Sequence, residues 1–116
     1  MTNDKIFNMA FAKVFPLLVA KAEKKGRTRE EVLCVTSWLT GYTPDAIDAA
    51  LESDLTYGDF FRNMPDANPK RALITGVVCG VRVEAVEDPL MREIRCLDKL
   101  VDELAKGKPM EKVLRG

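Results

Sequence analysis

The sequence predicts a mainly α-helical fold, a single compact domain of five to six helices that spans residues 1–116. Two observations predict it. Apolar residues recur at helical spacing in several segments, and residues typical of helix starts and stops separate those segments. The chain has 116 residues, 47% of them apolar and 31% charged, which is enough for one hydrophobic core in an ordinary globular protein.

The first segment, residues 4–25, places its larger apolar side chains on one helical face. Pro16 interrupts it, because proline lacks a backbone donor and disfavours helical geometry at the residue before it. We therefore expect either a kink at Pro16 or two short helices. Gly26 ends the segment.

Residues 28–44 carry the clearest local signals. Thr28 and Glu31 form the pattern of a capping box, in which each side chain satisfies a free backbone N–H. Gly41 suits the left-handed residue after a helix, and Thr43-Pro44 suits the start of the next helix. A second helix over about 29–40 and a tight turn follow from these signals.

The second helix is apolar on most of its circumference, which predicts a central position with Trp38 as the anchor of the core. A third helix over about 44–53 should bury Ile47, Ala50 and Leu51 and expose an acidic face. Thr56 then caps a short aromatic helix that Pro65 closes.

Residues 69–86 allow two interpretations. Apolar positions up to residue 79 fit a helix face, and we favour that interpretation, in which Gly76 and Gly80 would allow a close helix crossing. Residues 77–84 also alternate as a strand does. Because no other segment alternates as clearly, a short strand near residues 81–86 would pair with its own copy across a dimer.

The last long helix is the best defined. Asp88-Pro89 opens it and Gly107 closes it, and its apolar residues repeat at alternating spacings of four and three, as in a helix that packs along its whole length. Leu100 and Met91 widen the stripe and favour packing in a core. Pro109 starts a final turn.

Charge is balanced overall but unevenly placed. Eighteen basic and eighteen acidic residues give no net charge, whereas residues 1–42 are net +3, residues 43–66 net −5 and residues 67–116 net +2. This pattern favours charge complementarity within the fold or across a dimer over a global attraction to nucleic acid or to a membrane. No stretch has the length and apolarity of a membrane span.

The residue types exclude several chemistries. The sequence has no histidine, which removes Ser-His-Asp and Cys-His catalysis and most zinc sites. Cys34, Cys79 and Cys96 are odd in number and widely spaced, so we expect reduced, buried cysteines in a cytoplasmic protein. Catalytic residues, cofactors and metals are not expected.

The helix-turn-helix pattern around Gly41 raises the question of nucleic-acid binding. The helix after the turn carries Asp45, Asp48 and Glu52 and no basic residue, which opposes insertion into a DNA groove. The alternative is phosphate contact by a basic cluster before the turn. That cluster consists of Lys21, Lys24, Lys25, Arg27 and Arg29.

A further alternative is a small enzyme or ligand-binding protein with a carboxylate and arginine site. Its candidate residues are Tyr42, Tyr57, Arg82 and Glu84, with Glu87, Asp88, Arg92 and Arg95 as further polar candidates. Arg82 and Glu84 could equally form a structural ion pair or a partner contact.

Several blocks resemble an uncharacterised bacterial family, domain of unknown function 2200. They are Trp38-Leu39-Thr40-Gly41-Tyr42, Asn68-Pro69, Gly76–Glu84, Asp88-Pro89-Leu90-Met91, and Leu97–Leu100 through Lys106-Gly107-Lys108. The resemblance spans essentially the whole chain and implies a small bacterial cytosolic protein, without an activity or catalytic residues. We expect an interaction or assembly module that acts through helical surfaces as a homodimer or other homo-oligomer, in preference to nucleic-acid binding.

Overall fold

The computed structural model describes residues 4–115, and the side chains from Lys5 onward. Within that range the chain forms seven α-helices, two short 3-10 helices and one two-stranded hairpin. The helices are α1 (Asp4–Phe7), α2 (Phe11–Lys24), α3 (Arg29–Thr40), α4 (Pro44–Leu51), α5 (Tyr57–Arg62), α6 (Pro89–Ala105) and α7 (Met110–Val113). The 3-10 helices are Pro69–Leu73 and Val83–Ala85, and the strands are β1 (Val77–Val78) and β2 (Val81–Arg82). The predicted fold class, a mainly α-helical compact domain, is confirmed, with seven α-helices among the described residues where five to six were predicted.

The first segment consists of two helices, but the break lies before Pro16. Residues 8–10 leave the helix because their backbone pairs with the segment before α5: the N–H of Tyr57 donates to Met9 O at 2.7 Å, and that of Phe11 to Leu55 O at 2.9 Å. Helix α2 runs through Pro16, whose side chain is exposed. Water can therefore replace the donor that proline lacks.

The predicted helix caps are confirmed. Thr28 Oγ1 accepts from the N–H of Glu31 at 3.2 Å, and Glu31 Oε1 accepts from the N–H of Thr28 at 3.0 Å. Gly41 is left-handed, with φ of 82°. Thr43 caps α4, with Pro44 in its first turn, so the chain reverses sharply between α3 and α4.

Helix α3 is central, but Trp38 does not anchor the core as predicted. The indole is only partly buried and packs against the margin of the core, and Cys34 is exposed. Two threonines face inward instead. Their hydroxyls donate to the helix's own backbone, Thr36 to Val32 O at 2.8 Å and Thr40 to Thr36 O at 2.7 Å, which satisfies the buried oxygens.

The tightest aromatic packing lies between α2 and α5. The Phe11 ring stacks on Phe60 with centroids 4.1 Å apart and on Phe15 at 5.0 Å. Tyr57 and Phe61 complete the cluster, and all five rings are buried. Phe11 therefore occupies the central position predicted for Trp38.

The segment 69–86 differs from the favoured helix. It forms the first 3-10 helix and then an antiparallel hairpin in which Val77 pairs with Arg82 and Val78 with Val81. Strand β2 lies in the predicted interval 81–86. Its partner is β1 of the same chain, and not a second copy across a dimer as predicted. The reason is the turn: Cys79 and Gly80 have φ of 52° and 75°, as in the two-residue turns that match strand twist.

Helix α6 is the axis of the fold. It packs against α2, α3, α5 and the hairpin, and the predicted apolar stripe is buried along its length. Asp88 caps its start, accepting from the N–H of Leu90 at 2.9 Å. Gly107, with φ of 90°, follows its end. None of the described helices is long and apolar enough to cross a membrane.

The cysteines are free as predicted, but only one of them is buried. Cys96 lies in the core side of α6, whereas Cys34 and Cys79 are exposed. Cys34 lies on the outer face of α3 and Cys79 at the hairpin turn, two places where no core covers the side chain. The prediction of three buried cysteines was therefore wrong for two of them.

Candidate functional site

Three of the five residues in the basic cluster of residues 21–29 form ion pairs with carboxylates of the same chain. Lys21 Nζ lies 3.2 Å from Asp102 Oδ1, and Arg29 Nη2 lies 2.5 Å from Asp48 Oδ1 on the acidic helix α4. Lys24 and Lys25 are exposed at the end of α2. The ion pair of Arg29 shows one case of the predicted charge complementarity within the chain.

Arg27 is the most heavily bonded residue of this cluster. Its guanidinium contacts both carboxylate oxygens of Glu31, the shortest contact being 2.6 Å. Its Nη1 donates to Leu104 O at 3.2 Å and to Lys108 O at 2.8 Å, at the end of α6. The hydrogen bond from Arg27 is the main reason that the pKa of Glu31 is lowered. Arg27 therefore ties the start of α3 to the end of α6.

The two tyrosines are part of the core. Tyr42 stacks on Phe60 with centroids 4.3 Å apart and donates its hydroxyl to Phe60 O at 2.7 Å. Tyr57 is fully buried, and its hydroxyl has no hydrogen-bond partner among the described residues. Burial raises the pKa of Tyr42, and raises that of Tyr57 well above its ordinary value. Both phenols therefore stay protonated at neutral pH.

Arg82 and Glu84 lie together at the hairpin. Arg82 Nη1 is 3.8 Å from Glu84 Oε2, and both side chains are largely exposed. Glu84 Oε1 accepts from the N–H of Gly76 at 3.0 Å, and this backbone bond is the main cause of the lowered pKa of Glu84. Arg92 on α6 donates to Glu84 O. The structure thus brings Arg82 and Glu84 together, while the tyrosines lie in the aromatic core.

The register of the hairpin separates its two faces. Side chains alternate along a strand, and residues directly opposite share a face. Val78 and Val81 form the inner face, with Val78 buried against α6. Val77 and Arg82 form the outer face, where Val77 is 46% exposed. We call Val77, Arg82 and Glu84 the hairpin face.

A groove lies beside the hairpin face, between residues 81–88 and helix α6. Its volume is about 440 Å³, and its lining residues are Val81, Val86, Glu87, Asp88, Met91 and Arg95. Three of these are apolar and three are charged. We call this the hairpin groove.

Arg95, which lines the hairpin groove, has a buried donor without a partner in the described part of the chain. Its Nη1 donates to Asp98 Oδ2 at 3.1 Å, but its Nε is buried without a hydrogen-bond partner among the described residues. Burial raises the pKa of Asp98, and the nearby Arg95 partly offsets that effect. Sequence reasoning named Glu87, Asp88 and Arg95 but missed the groove, because only the hairpin register brings Val81 and Val86 beside them.

A second, smaller cavity of about 80 Å³ lies on the other side of α6, where Arg71, Glu84, Arg92 and Cys96 meet. Arg71 Nε donates to Glu93 Oε1 at 2.9 Å. Burial raises the pKa of the Cys96 thiol to about 12. The thiol is therefore protonated and a poor nucleophile at neutral pH.

One of the comparisons with known proteins identifies the family. A family model described as "Uncharacterized protein conserved in bacteria (DUF2200)" matches residues 5–115. The crystal structure of uncharacterized protein SP1917 is similar over 98% of this chain and 93% of that chain, with 55% identity and a TM-score of 0.93. No match was found among curated proteins. The chain belongs to the DUF2200 family of uncharacterized proteins conserved in bacteria.

Proposed function

We propose that this bacterial protein is a non-catalytic assembly module that forms a homodimer through the hairpin face and the hairpin groove. The observation that carries the proposal is the 46% exposure of Val77 beside the loosely paired Arg82 and Glu84. Leu73, on the neighbouring 3-10 helix, is 57% exposed. Neighbouring exposed apolar side chains that form a patch with a polar rim are typical of contact surfaces.

The charges of the hairpin face suit a second copy of the same chain. In a twofold interface the same patch of both copies is in contact. A contact from one residue of the patch to a second residue on the partner is therefore repeated from the second residue to the first. One arginine and one carboxylate on the same face can exchange partners across such an axis. Arg82 Nη1 and Glu84 Oε2 are 3.8 Å apart, so both can form shorter bonds to a partner, while Glu84 Oε1 keeps its bond from the N–H of Gly76.

The hairpin groove adds depth to this surface. Its partly buried apolar residues Val81 and Val86 would be withdrawn from water on association. A docked copy would thus bury apolar surface in the groove.

The polar chemistry of the chain supports a non-catalytic role. Histidine is absent, and burial raises the pKa of Tyr42, of Tyr57 and of the Cys96 thiol. We infer a cytoplasmic location, because free, exposed thiols such as Cys34 and Cys79 are typical of a reducing compartment.

Size-exclusion chromatography with light scattering tests the dimer directly. The wild-type protein should elute with the mass of a dimer, and Val77→Asp should elute as a monomer because it buries a charge in the interface. Leu17→Asp is the matched control, since Leu17 is 65% exposed but lies on α2. A monomeric wild-type protein at high concentration overturns the proposal, and so does loss of the dimer only in the Leu17 variant.

Charge exchange tests the orientation. Arg82→Glu and Glu84→Arg should each weaken the dimer by placing like charges across the axis, and the double variant should restore it. Circular dichroism of each variant confirms that the fold is retained. A double variant as weak as both single variants would contradict the twofold arrangement.

A further inference from the structure

We propose that the depression between the end of α6 and α7 is a binding site for a compact phosphate-bearing anion. Its volume is about 420 Å³, within the usual range for small-molecule sites. Four lysines line it, together with one carboxylate. They are Lys99, Lys106, Lys108, Lys112 and Glu103.

The single carboxylate is already neutralised. Glu103 is only 5% exposed, and Arg115 binds it with two nitrogens, each 2.7 Å from a different carboxylate oxygen. Such two-point pairing with arginine is the strong form of this contact. The negative charge of Glu103 is therefore matched before any lysine is counted.

Two lysines stand near Glu103 without a close bond to it. Lys108 Nζ is 3.6 Å and Lys99 Nζ is 3.8 Å from Glu103 Oε2, both beyond hydrogen-bond distance. Lys99 Nζ is also 3.4 Å from Val77 O. Both ammonium groups therefore keep donors for a ligand. Together with Arg115, they make three cations that lie close to the buried carboxylate of Glu103.

The remaining lysines increase the positive charge of the depression. Lys106 Nζ pairs with Asp102 Oδ2 at 3.0 Å, but Asp102 also pairs with Lys21. Among the described residues, no carboxylate lies within 4.0 Å of the Lys112 ammonium. Positive groups thus exceed carboxylates here, although the whole chain carries no net charge.

This arrangement favours a small, multiply charged anion. Lysines act as compact point charges, which bind phosphate oxygens from many directions. The four lysines line a single depression, whereas a nucleic acid strand needs an extended basic track. Phosphate groups of inorganic polyphosphate or of a nucleotide share the chemistry that this depression would recognise.

Isothermal titration calorimetry with sodium triphosphate tests the site. The wild-type protein should bind at low ionic strength, and added salt should weaken binding because the contacts are solvent-accessible. The double variant Lys108→Gln/Lys112→Gln should bind about tenfold more weakly, the loss expected for two exposed ionic contacts. Absence of binding heat with the wild-type protein at low salt, at two temperatures roughly 15 °C or more apart, overturns the proposal.

A matched control separates a site from diffuse charge. Lys24→Gln/Lys25→Gln removes the same charge from exposed lysines outside the depression and should leave binding unchanged. An equal loss in this variant overturns the proposal.

ATP titrated in parallel identifies the source of the phosphate: equal affinity indicates the phosphate chain alone, and tighter binding indicates a nucleotide. Duplex DNA serves as a further comparison. If it binds more tightly than triphosphate, with both affinities expressed per phosphate, the proposal of a compact anion site is overturned.

Discussion

Gly41 shows how one residue joins two parts of the chain. The residue is left-handed, as its position after α3 predicts, and the segment that follows α5 passes directly over it. The N–H of Asp66 donates to Thr40 O at 3.1 Å, and that of Asn68 to Leu39 O at 3.0 Å. A Cβ on Gly41 would lie 2.7 Å from the backbone nitrogen of Asp66. The glycine is therefore required twice, by backbone conformation and by close contact.

Gly41→Val should lower the free energy of unfolding by about 3–5 kcal/mol, because it adds a contact with Asp66 to the strain of a β-branched residue at positive φ. Urea denaturation followed by circular dichroism measures this. Gly26→Val is the control: Gly26 has φ of 84° but no atom within 4 Å of its Cβ position. That variant should lose only about 1–2 kcal/mol. Equal losses in both would show that the contact with Asp66 costs nothing.

Arg27 shows which residue roles the sequence could not reveal. Its charge and its place after Gly26 are visible in the sequence, and they suggested phosphate contact. Its partners, Leu104 O and Lys108 O, lie far along the chain, and only the packing of α2 and α3 against α6 brings them within reach. Capping signals depend on neighbours a few residues away and are predictable, whereas such long-range bonds are not.

The hairpin is the element at which helical periodicity misled the prediction. Its apolar residues fit a helix and a strand equally well over so short a run. The strand partner lies immediately upstream, but Cys79-Gly80 is not one of the common Asn-Gly or Asp-Gly turns that would have signalled it. The hairpin face and hairpin groove depend on this register, so neither could be predicted.

Cys79→Asn tests the turn. Cys79 has φ of 52°, a conformation that costs most side chains energy but that asparagine adopts readily, so the variant should be more stable by about 0.5–1 kcal/mol. Thermal denaturation by calorimetry measures this gain. Cys34→Asn is the matched control, because Cys34 is exposed on helix α3 and the two residues have similar helix propensity. A loss of stability at Cys79 would contradict the turn geometry.

Across the whole molecule the core has an aromatic part and an aliphatic part. The aromatic part lies where α2 meets α5, and the aliphatic part lies along α6. The sequence predicted the buried stripe of α6, since its spacing is regular, but it placed the centre of the core at Trp38. The apolar circumference of α3 was the misleading signal: the helix is central, but tryptophan is often partly exposed at a core margin.

Truncation of Phe11 should therefore lower the free energy of unfolding more than truncation of Trp38. Phe11→Ala leaves a closed cavity among Phe15, Tyr57 and Phe60 and should cost about 3–5 kcal/mol. Trp38→Ala should cost less, because the indole is only partly buried and the space that it leaves opens to water. Phe11→Leu keeps most of the volume and should cost about 1–2 kcal/mol, so the comparison survives if Phe11→Ala fails to fold. The urea midpoints of the three variants rank their stability. A larger loss of stability for Trp38→Ala than for Phe11→Ala would show that Trp38, and not Phe11, lies at the centre of the core.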